Sequence, residues 1–481
     1  MFGLCKGTFG KELSDILIKI QGIYFMQSNI LLFVLFSIIS AIILNFIPVK
    51  YKKYMLLFLN LLFYGLCDLK FLLLILLGIV WSYYIGRLIV TKLELRKFYL
   101  CLGIIPIVII LCFFKYYNFF VPEGEDVLKV VMPLGISYYT FKIISYMVDV
   151  YRQKRCIEGT LIEYAVYVSF FPQIICGPIS RSEDIMGQLR HLSKISGELM
   201  SDGMYLILSG LFKKLVIADR LNSYVNAIFA NPSGYPGLAL WMAAFFYTIQ
   251  IYCDFAGYSE IAIGAINLLG IKCKANFQLP YFSYSIKDFW RRWHISLSSW
   301  LRDYIYIPLG GNRKGPFFKN INILLTFLVS GIWHGNGLNY LFWGIYHGFF
   351  NLFNYKSASS VWKRALQIIA TFFVVMFGWI FFKAATLQTA LSYIGAMFCN
   401  LSISLESIIA SVLPFTGDFS CLAYLLCVCL FIVVLFFMEY REFSDKIRNV
   451  KKEKTMQMVI YISSIILFGV IGQSSFLYAN F

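Results

Sequence analysis

One segment of the sequence indicates both the fold of this chain and its candidate chemistry: Ile-Asn-Ile-Leu-Leu-Thr-Phe-Leu-Val-Ser-Gly-Ile-Trp-His-Gly-Asn-Gly (residues 321–337). Its apolar run, 321–333, is typical of a helix within a membrane. Counted from Lys319, such a helix would carry His334 about 22 Å along its axis. An ionisable side chain is energetically expensive at that depth, so His334 is a candidate functional residue. The glycines that follow it would allow the helix to end there.

The composition of the whole chain points to the same environment. Of its 481 residues, 59% are hydrophobic and 14% are charged, whereas soluble domains are roughly 45–50% apolar and about 25% charged. The apolar runs are long and unbroken, unlike the alternating segments of a membrane β-barrel. We therefore predict an all-α polytopic membrane protein with about 10–13 transmembrane or re-entrant helices.

The organisation along the chain predicts one membrane domain. We assign residues 1–28 to an N-terminal leader or interfacial helix, 29–475 to the domain, and 476–481 to a C-terminal tail. Residues 130–350 mix apolar runs with Gly, Pro, Asp, Asn, Arg and His, and such segments survive at membrane depth only inside protein or beside a cavity. We expect short, re-entrant or tilted helices ringed around a central funnel or tunnel, with long lipid-facing helices outside.

A second histidine lies in the segment Phe-Trp-Arg-Arg-Trp-His-Ile-Ser-Leu-Ser-Ser-Trp-Leu-Arg-Asp-Tyr (residues 289–304). The surrounding loop, 287–314, is too charged to span, and its Trp and Arg residues suit an interface, which we expect to be the cytoplasmic one. The net charge of +17 follows the positive-inside rule, and part of it is also suited to an acidic donor such as coenzyme A or an acyl carrier protein. No nucleic-acid partner is predicted.

The cysteines, histidines and acidic residues limit the kinds of catalytic or metal site that the chain can form. The 12 cysteines are scattered and there are only 4 histidines, so we predict no metal site and no permanently bound cofactor. His334 is a candidate general base that removes a proton from a hydroxyl attacking an acyl carbonyl, the alternative being a hydrogen-bonded core histidine. His294 is a candidate for positioning or protonating a donor, and His347 and His191 are weaker candidates. Asp254 lies within an apolar run and is expected to be paired.

Together these motifs resemble those of the membrane-bound O-acyltransferases, in the bacterial branch that contains alginate and peptidoglycan O-acetyltransferases and the teichoic-acid D-alanylation protein. Three further segments carry the resemblance: Pro-Leu-Gly-Ile-Ser-Tyr-Tyr-Thr-Phe (133–141), Gly-Pro-Ile-Ser-Arg (177–181) and Tyr-Cys-Asp-Phe-Ala-Gly-Tyr-Ser-Glu (252–260). The resemblance implies that His334 is the central catalytic histidine and His294 the second motif histidine. It also implies a ring of helices around a thinned centre.

The C-terminal end, Ser-Ser-Phe-Leu-Tyr-Ala-Asn-Phe (474–481), is similar to the Phe-x-Tyr-x-x-Phe ending of that branch. The resemblance implies that Tyr478 carries the acyl group as an ester. A base must assist this step, because a free tyrosine with a pKa of about 10 is protonated at neutral pH. The alternative is that these aromatic residues form part of an interfacial belt.

We therefore predict an O-acyltransferase of the bacterial cytoplasmic membrane that moves an acyl group, most simply acetyl, from acetyl-CoA or an acyl carrier protein thioester. The resemblance implies a cell-envelope or extracellular polysaccharide as the acceptor and an exported esterase-like acetyltransferase as a partner. The alternatives are D-alanyl transfer to teichoic acid and a non-enzymatic transporter or channel. Arg313 is expected to help attract donor phosphates, and Asp303 has pairing with Arg302 as its alternative role. The predicted substrate-binding residues are Arg291, Arg292, Trp293, Asp303 and Asn336.

Overall fold

The apolar runs of the sequence form helices throughout the described part of the chain. The computed structural model describes residues 30–121, 130–152, 159–353, 355–401, 404–412, 420–447 and 454–470, and these ranges contain no β-strand. The predicted leader, 1–28, and the tail with Tyr478 lie outside the described residues. The all-α prediction is therefore confirmed for the described residues.

Most connections between the helices are short, and the two longest cover residues 117–135 and 269–285. In chain order they are α1 (Ile30–Phe46), α2 (Lys52–Asp68), α3 (Leu72–Thr91), α4 (Arg96–Tyr116), α5 (Ile136–Tyr151), α6 (Leu161–Ser169), α7 (Ser182–Arg190), α8 (Gly197–Leu211), α9 (Asp219–Ala230), α10 (Gly237–Leu268), α11 (Ile286–Arg292), α12 (Ile295–Leu301), α13 (Pro316–His334), α14 (Leu338–Leu352), α15 (Val361–Lys383), α16 (Leu387–Cys399), α17 (Leu405–Val412), α18 (Ser420–Ile447) and α19 (Thr455–Phe468). π-Helical turns follow α8 at Phe212–Ala218 and α12 at Arg302–Tyr306.

Six stretches of the described chain are long and apolar enough to cross a membrane. They are Val49–Thr91, Leu93–Phe119, Gly237–Leu268, Pro316–His334, Val361–Lys383 and Ala423–Ser444, and α1, α16 and α19 are shorter apolar helices. Their burial differs strongly: the apolar window of Leu93–Phe119 is 11% buried and that of Gly237–Leu268 is 78% buried. The chain is thus a multi-pass membrane protein in which α10 lies at the centre and α4 at the periphery.

The polar middle of the sequence lies inside the protein, as its composition predicts. Helix α5 buries most of its residues, and every residue from 170 to 180 is buried although this segment forms only one short 3-10 turn. The region 287–314, which is too charged to span, forms the short helices α11 and α12 and a π-helical turn. The helix-breaking residues therefore lie where protein rather than lipid surrounds the backbone.

The apolar segment 318–350 does not form one continuous helix. It is divided into α13 and α14, because Gly335 is extended, with φ −173° and ψ 173°. The two helices then pack closely through glycines: a Cβ atom on Gly331 would lie 2.4 Å from the Tyr340 carbonyl oxygen, and one on Gly344 would lie 2.5 Å from that of Phe327. Small residues at such a crossing allow two membrane helices to approach each other closely.

Buried charges at the centre are paired, as expected for Asp254. The Lys214 ammonium lies 2.6 Å from the carboxylate of Asp254 on α10 and 2.7 Å from that of Asp219 on α9. The preceding residue, Lys213, contacts Glu260 and lies 2.7 Å from Glu439 on α18. Both lysines belong to the π-helical turn Phe212–Ala218. The two lysines of this turn thus form ion pairs with carboxylates of α9, α10 and α18.

Replacing Lys214 with methionine is expected to destabilise the protein by about 3–5 kcal/mol, because it removes the ammonium that two buried carboxylates share. Thermal unfolding of the purified protein in detergent would measure the loss. Lys272→Met is the matched control, since Lys272 is exposed. Equal unfolding temperatures for the two variants would contradict the structural role of Lys214.

The charged helix ends gather on one face of the protein, which we call the basic face and define by residues 50–53, 92–97 and 302–319. Arg96 at the start of α4 donates a hydrogen bond to the Tyr151 carbonyl at the end of α5. Lys53 at the start of α2 lies 3.1 Å from Glu163 on α6. Arg152, after α5, donates to the carbonyl of Asp303. Helix α13 starts at this face and runs away from it toward His334.

Candidate active site

His334 is the last residue of α13 and is enclosed by aromatic rings. It is 2% exposed, and its ring centroid lies 4.6 Å from that of Trp333, 5.0 Å from that of Trp343 on α14, and 5.3 Å from that of Phe382 on α15. Three helices therefore fix the position of the imidazole. The structure places His334 where the apolar run and its glycines predict, at a helix end deep inside the protein.

The end of α4 supports the same helix terminus, a contribution that the sequence patterns do not reveal. The Lys115 ammonium donates a hydrogen bond to the carbonyl of Trp333 and lies 5.0 Å from the Trp333 ring centroid. The Tyr116 hydroxyl donates to the carbonyl of Ile332 at 2.6 Å. The last carbonyls of a helix have no partner within it, so these two side chains satisfy groups beside His334 that would otherwise be orphaned. The Lys115 ammonium also interacts electrostatically with the His334 imidazole.

His294 lies at the junction of α11 and α12 and is 1% exposed. Its backbone is left-handed, with φ 42° and ψ 54°, which is uncommon for a residue other than glycine. The imidazole packs edge-on against Phe255 of α10 at 4.6 Å between ring centroids, and it lies within electrostatic range of His334. The structure thus brings together the two histidines that the sequence motifs single out.

Burial determines the charge of His294, which lies outside the six candidate membrane spans. Removal of its imidazole from water lowers its pKa to about 3, because a buried site disfavours the charged form. His294 is therefore neutral at ordinary working pH, so it has one nitrogen that donates and one that accepts a hydrogen bond.

A cavity of about 450 Å³, which we call the basic pocket, extends from the basic face toward His334. Its cationic side chains are those of Lys287, Arg291, Arg302 and Lys319. Its wall follows α13 through Thr326 to Ser330, which lies one helical turn before His334. Among the described residues, no carboxylate forms an ion pair with Lys287, Arg291 or Lys319. The pocket therefore offers positive charge to an anionic ligand close to the histidines.

The structure separates the predicted substrate-binding residues. Arg291 lines the basic pocket, whereas Arg292 is ion-paired with Asp288 at 3.0 Å. Trp293 is 1% exposed and packs against Trp379 at 4.9 Å between ring centroids. Asp303 lies 2.8 Å from Arg302 and 3.3 Å from Arg181, which is the pairing given above as its alternative role. Arg313 is exposed, and the basic pocket is lined without it.

Asn336, the last of these predicted residues, lies at the opposite side of His334 from the basic pocket. It lines an apolar cavity of about 620 Å³ with its neighbours Gly335 and Gly337 and with the end of α4 from Cys112 to Phe120. We call this the apolar pocket. His334 itself lines neither pocket: Ser330, one turn before it, lines the basic pocket, and Gly335, the residue after it, lines the apolar pocket.

This arrangement can support acyl transfer. A neutral imidazole can take a proton from a hydroxyl, and a second one nearby can accept or donate a hydrogen bond to the reacting groups. The enclosed aromatic surroundings exclude water, so an activated acyl group would be protected from hydrolysis. Among the described residues, no group of three His, Cys, Asp or Glu side chains could hold a metal ion.

Comparisons with known proteins identify relatives of this chain. The profile of the membrane-bound O-acyltransferase family matches residues 59–356, a range that includes both histidine motifs. The chain is 37% identical to the probable alginate O-acetylase of Pseudomonas aeruginosa over 73% of its own length and 70% of the relative. It is 30% identical to the peptidoglycan O-acetyltransferase of Helicobacter pylori over 90% and 92%. It is 32% identical to the teichoic acid D-alanyltransferase of Bacillus subtilis over 52% and 68%.

Proposed function

Because the chain belongs to the membrane-bound O-acyltransferase family, we propose that it transfers an acetyl group from a thioester donor to a hydroxyl of a cell-envelope or extracellular polysaccharide. Its relatives include O-acetyltransferases named for alginate and for peptidoglycan. Membership of this family confirms the prediction of an O-acyltransferase. It argues against the alternative of a non-enzymatic transporter or channel. The single observation that carries the proposal is the buried His334 at the end of α13, with Ser330 of the basic pocket one turn before it and Gly335 of the apolar pocket next to it.

The donor enters from the basic face in this proposal. Acetyl-CoA and an acyl carrier protein both present phosphate groups, and arginine and lysine side chains bind phosphate through charge-assisted hydrogen bonds. Lys287, Arg291 and Lys319 would hold these phosphates, while the thioester end follows α13 past Ser330. The positive-inside rule assigns the basic face to the cytoplasm, where both donors are made. We accordingly place the protein in the bacterial cytoplasmic membrane.

The transfer step is a nucleophilic acyl substitution. The acceptor hydroxyl oxygen attacks the thioester carbonyl carbon while His334 takes the hydroxyl proton, and the carbon–sulfur bond then breaks. The proton passes from the His334 imidazolium to the leaving thiolate, so the products are an oxygen ester and a free thiol. No net proton is released, and the histidine returns to its neutral form.

The acceptor side involves the C-terminal tail and a partner in this proposal. The first acceptor is the Tyr478 phenol, which becomes an ester and then passes the acetyl group to an exported esterase-like acetyltransferase that modifies the polymer. The support is the Phe-x-Tyr-x-x-Phe pattern at 476–481 and the apolar pocket on the far side of His334 from the donor.

The acyl group and the polymer are tested by ester analysis. Cells with and without the wild-type protein would be compared by mass spectrometry of the esters released from their envelope polysaccharides, with His334→Ala as the inactive form. We expect acetyl esters to depend on the wild-type protein. D-Alanyl esters on teichoic acid would instead support the second candidate function, which the similarity to the teichoic acid D-alanyltransferase favours. Unchanged esters in all strains would contradict both.

The basic pocket predicts a specific kinetic effect. Replacing Lys287, Arg291 or Lys319 singly with glutamine is expected to raise KM for the donor by about 3- to 10-fold, with kcat nearly unchanged, since each removes about 1 kcal/mol of phosphate binding. The sensitivity of KM to salt should also fall. Steady-state rates with acetyl-CoA and with an acetylated carrier protein would be measured. Arg313→Gln is the matched control on the same face, and an equal effect there would argue against the pocket.

A further inference from the structure

A side chain outside both histidine motifs holds His294 in place. Asn276 lies in the connection between α10 and α11 and is 1% exposed. Its side-chain oxygen Oδ1 lies 3.2 Å from Nδ1 of His294. The same oxygen accepts hydrogen bonds from the backbone N–H of Ser296 at 3.1 Å and from the Ser296 hydroxyl at 2.9 Å. One amide therefore engages both ends of the short turn 294–296.

The backbone of Asn276 adds to this hold. Its carbonyl oxygen accepts a hydrogen bond from the N–H of Ile295 at 2.9 Å. His294 occupies the left-handed region, which is unfavourable for a residue with a side chain and persists only where the surroundings fix it. The bonds from Asn276 to residues 294–296 supply that constraint, so they define the direction in which the imidazole points.

The hydrogen bonds also define the tautomer of His294. A backbone N–H can only donate, so the atom of Asn276 that faces Ser296 must be the oxygen and the amide orientation is settled. The amide nitrogen Nδ2 correspondingly donates to the Ser259 hydroxyl at 3.2 Å. Since Oδ1 can only accept, its hydrogen bond with Nδ1 of His294 requires the proton on Nδ1; the Ser296 hydroxyl, 3.5 Å from the same Nδ1, donates to Oδ1 at the shorter distance of 2.9 Å. The lone pair of the neutral imidazole then resides on Nε2.

We propose that Asn276 is a positioning residue for acyl transfer, which orients His294 and fixes it as the tautomer whose Nε2 accepts a hydrogen bond from the reacting groups. This inference rests on the proposed function. It refines the role predicted from the motifs: in this tautomer His294 is an acceptor at Nε2 rather than a group that protonates the donor. A ring nitrogen's partner commonly sets which nitrogen of a histidine is reactive.

The groups around His294 and Asn276 bear on how this state responds to pH. From α10 the uncharged Phe255 packs against the ring and Ser259 lies behind the amide, and His334 of α13 interacts with His294 electrostatically. The charged residues next in sequence on α10, Asp254 and Glu260, face the lysines of the π-helical turn instead. Asn276 lines a cavity of about 460 Å³ together with Lys213, Glu260, Glu439 and Glu442, so the titratable side chains near the Asn276–His294 pair include these four as well as His334.

Asn276→Asp is the decisive variant. A carboxylate at this position would still accept from Nδ1, but its negative charge favours the imidazolium and raises the pKa of His294. As the pH falls through that raised pKa, Nε2 becomes protonated and its acceptor function is lost. We expect a new acidic limb in the pH profile of kcat between about pH 5 and 7, which the wild-type protein, with a His294 pKa of about 3, does not show.

Asn276→Ala completes the test. Loss of the amide frees both the ring and its tautomer, and we expect kcat to fall by about 100-fold with KM for the donor within about twofold of wild type. Asn400→Asp is the matched control, since it introduces the same charge at an exposed position at the end of α16 and should leave the pH profile unchanged.

The outcomes separate this inference from the proposed function. If Asn276→Asp is active with a wild-type pH profile, or if Asn276→Ala raises KM without lowering kcat, the positioning role is overturned. A folded His334→Ala protein that retains transfer would overturn the proposed function itself, whatever Asn276 does. Thermal unfolding in detergent would show that each variant is folded when its kinetics are measured.

Discussion

Replacing His334 with alanine is expected to abolish measurable acyl transfer, with a loss in kcat of about 10²–10⁴-fold. In the proposed mechanism the imidazole accepts the proton, and no other ionisable side chain of α13 after Lys319 is available to replace it. The donor should still bind, because the cationic residues of the basic pocket are untouched. The measurement is transfer from a thioester donor by purified protein, followed as release of free thiol and as ester formation.

The alanine substitution also removes packing, so a folding control is needed. The His334 ring contacts Trp343 and Phe382, and a cavity there lowers stability independently of chemistry. His334→Gln keeps polar atoms and most of the volume but cannot act as a base at neutral pH, so it should be inactive and folded. His191→Ala, on the exposed end of α7, should be fully active. Retained transfer by folded His334→Gln would exclude the general-base role.

The sequence alone predicts both histidines because each is an ionisable residue in an apolar or aromatic setting, and such residues stand out without knowledge of the fold. It also predicts that 130–350 is interior, since the helix-breaking residues there have no other tolerable location in a membrane protein. These inferences depend on local pattern and general energetics. They need no information about which distant segments meet.

The sequence does not predict in which direction each side chain of a motif points. Arg291 and Arg292 are the last two residues of α11 and Trp293 follows them in an extended conformation, and successive positions on a helix point about 100° apart. They cannot all face one pocket, and the structure places Arg291 in the basic pocket, Arg292 on Asp288 and Trp293 in the core. The sequence motif suggests one role for these three neighbouring residues, whereas the structure gives each of them different surroundings.

Contacts between segments that are distant in the sequence could not be predicted either. Lys115 reaches the carbonyl of Trp333 across 218 positions, and Lys319 joins Lys287 in one pocket from a different helix. Asn276 lies 18 positions before His294, in a segment whose composition resembles an ordinary polar loop. Each of these residues acquires its role only when helices pack, because single-chain patterns carry the periodicity of one helix and not its neighbours.

Replacing Tyr478 with phenylalanine is expected to abolish polymer acylation as completely as His334→Ala, while thiol release from the donor continues at a low rate by hydrolysis. The substitution removes one oxygen atom and leaves the aromatic pattern of the tail, so an interfacial belt would keep its function. The expected loss follows from chemistry: without the phenol there is no oxygen to carry the ester.

The reach of the chain limits where Tyr478 can act. The described residues end with Val470, whose N–H donates to the carbonyl of Leu215, and an extended chain covers at most about 3.3–3.6 Å per residue. Tyr478 follows eight positions later, so its Cα atom can lie at most about 26–29 Å from that anchor, and its hydroxyl one side-chain length farther. A carrier confined in this way meets His334 at high effective concentration wherever that reach includes the apolar pocket.

Intact-protein mass spectrometry distinguishes the carrier from a bystander. Wild-type protein incubated with the donor should gain one acetyl mass on the C-terminal peptide, Tyr478→Phe should gain none, and His334→Ala should gain none although its tyrosine is present. Tyr440→Phe, which changes an exposed tyrosine of α18, should behave as wild type. Because the ester forms before the acyl group reaches a polymer, full polymer acylation by Tyr478→Phe would remove the tail from the pathway while leaving His334 as the base.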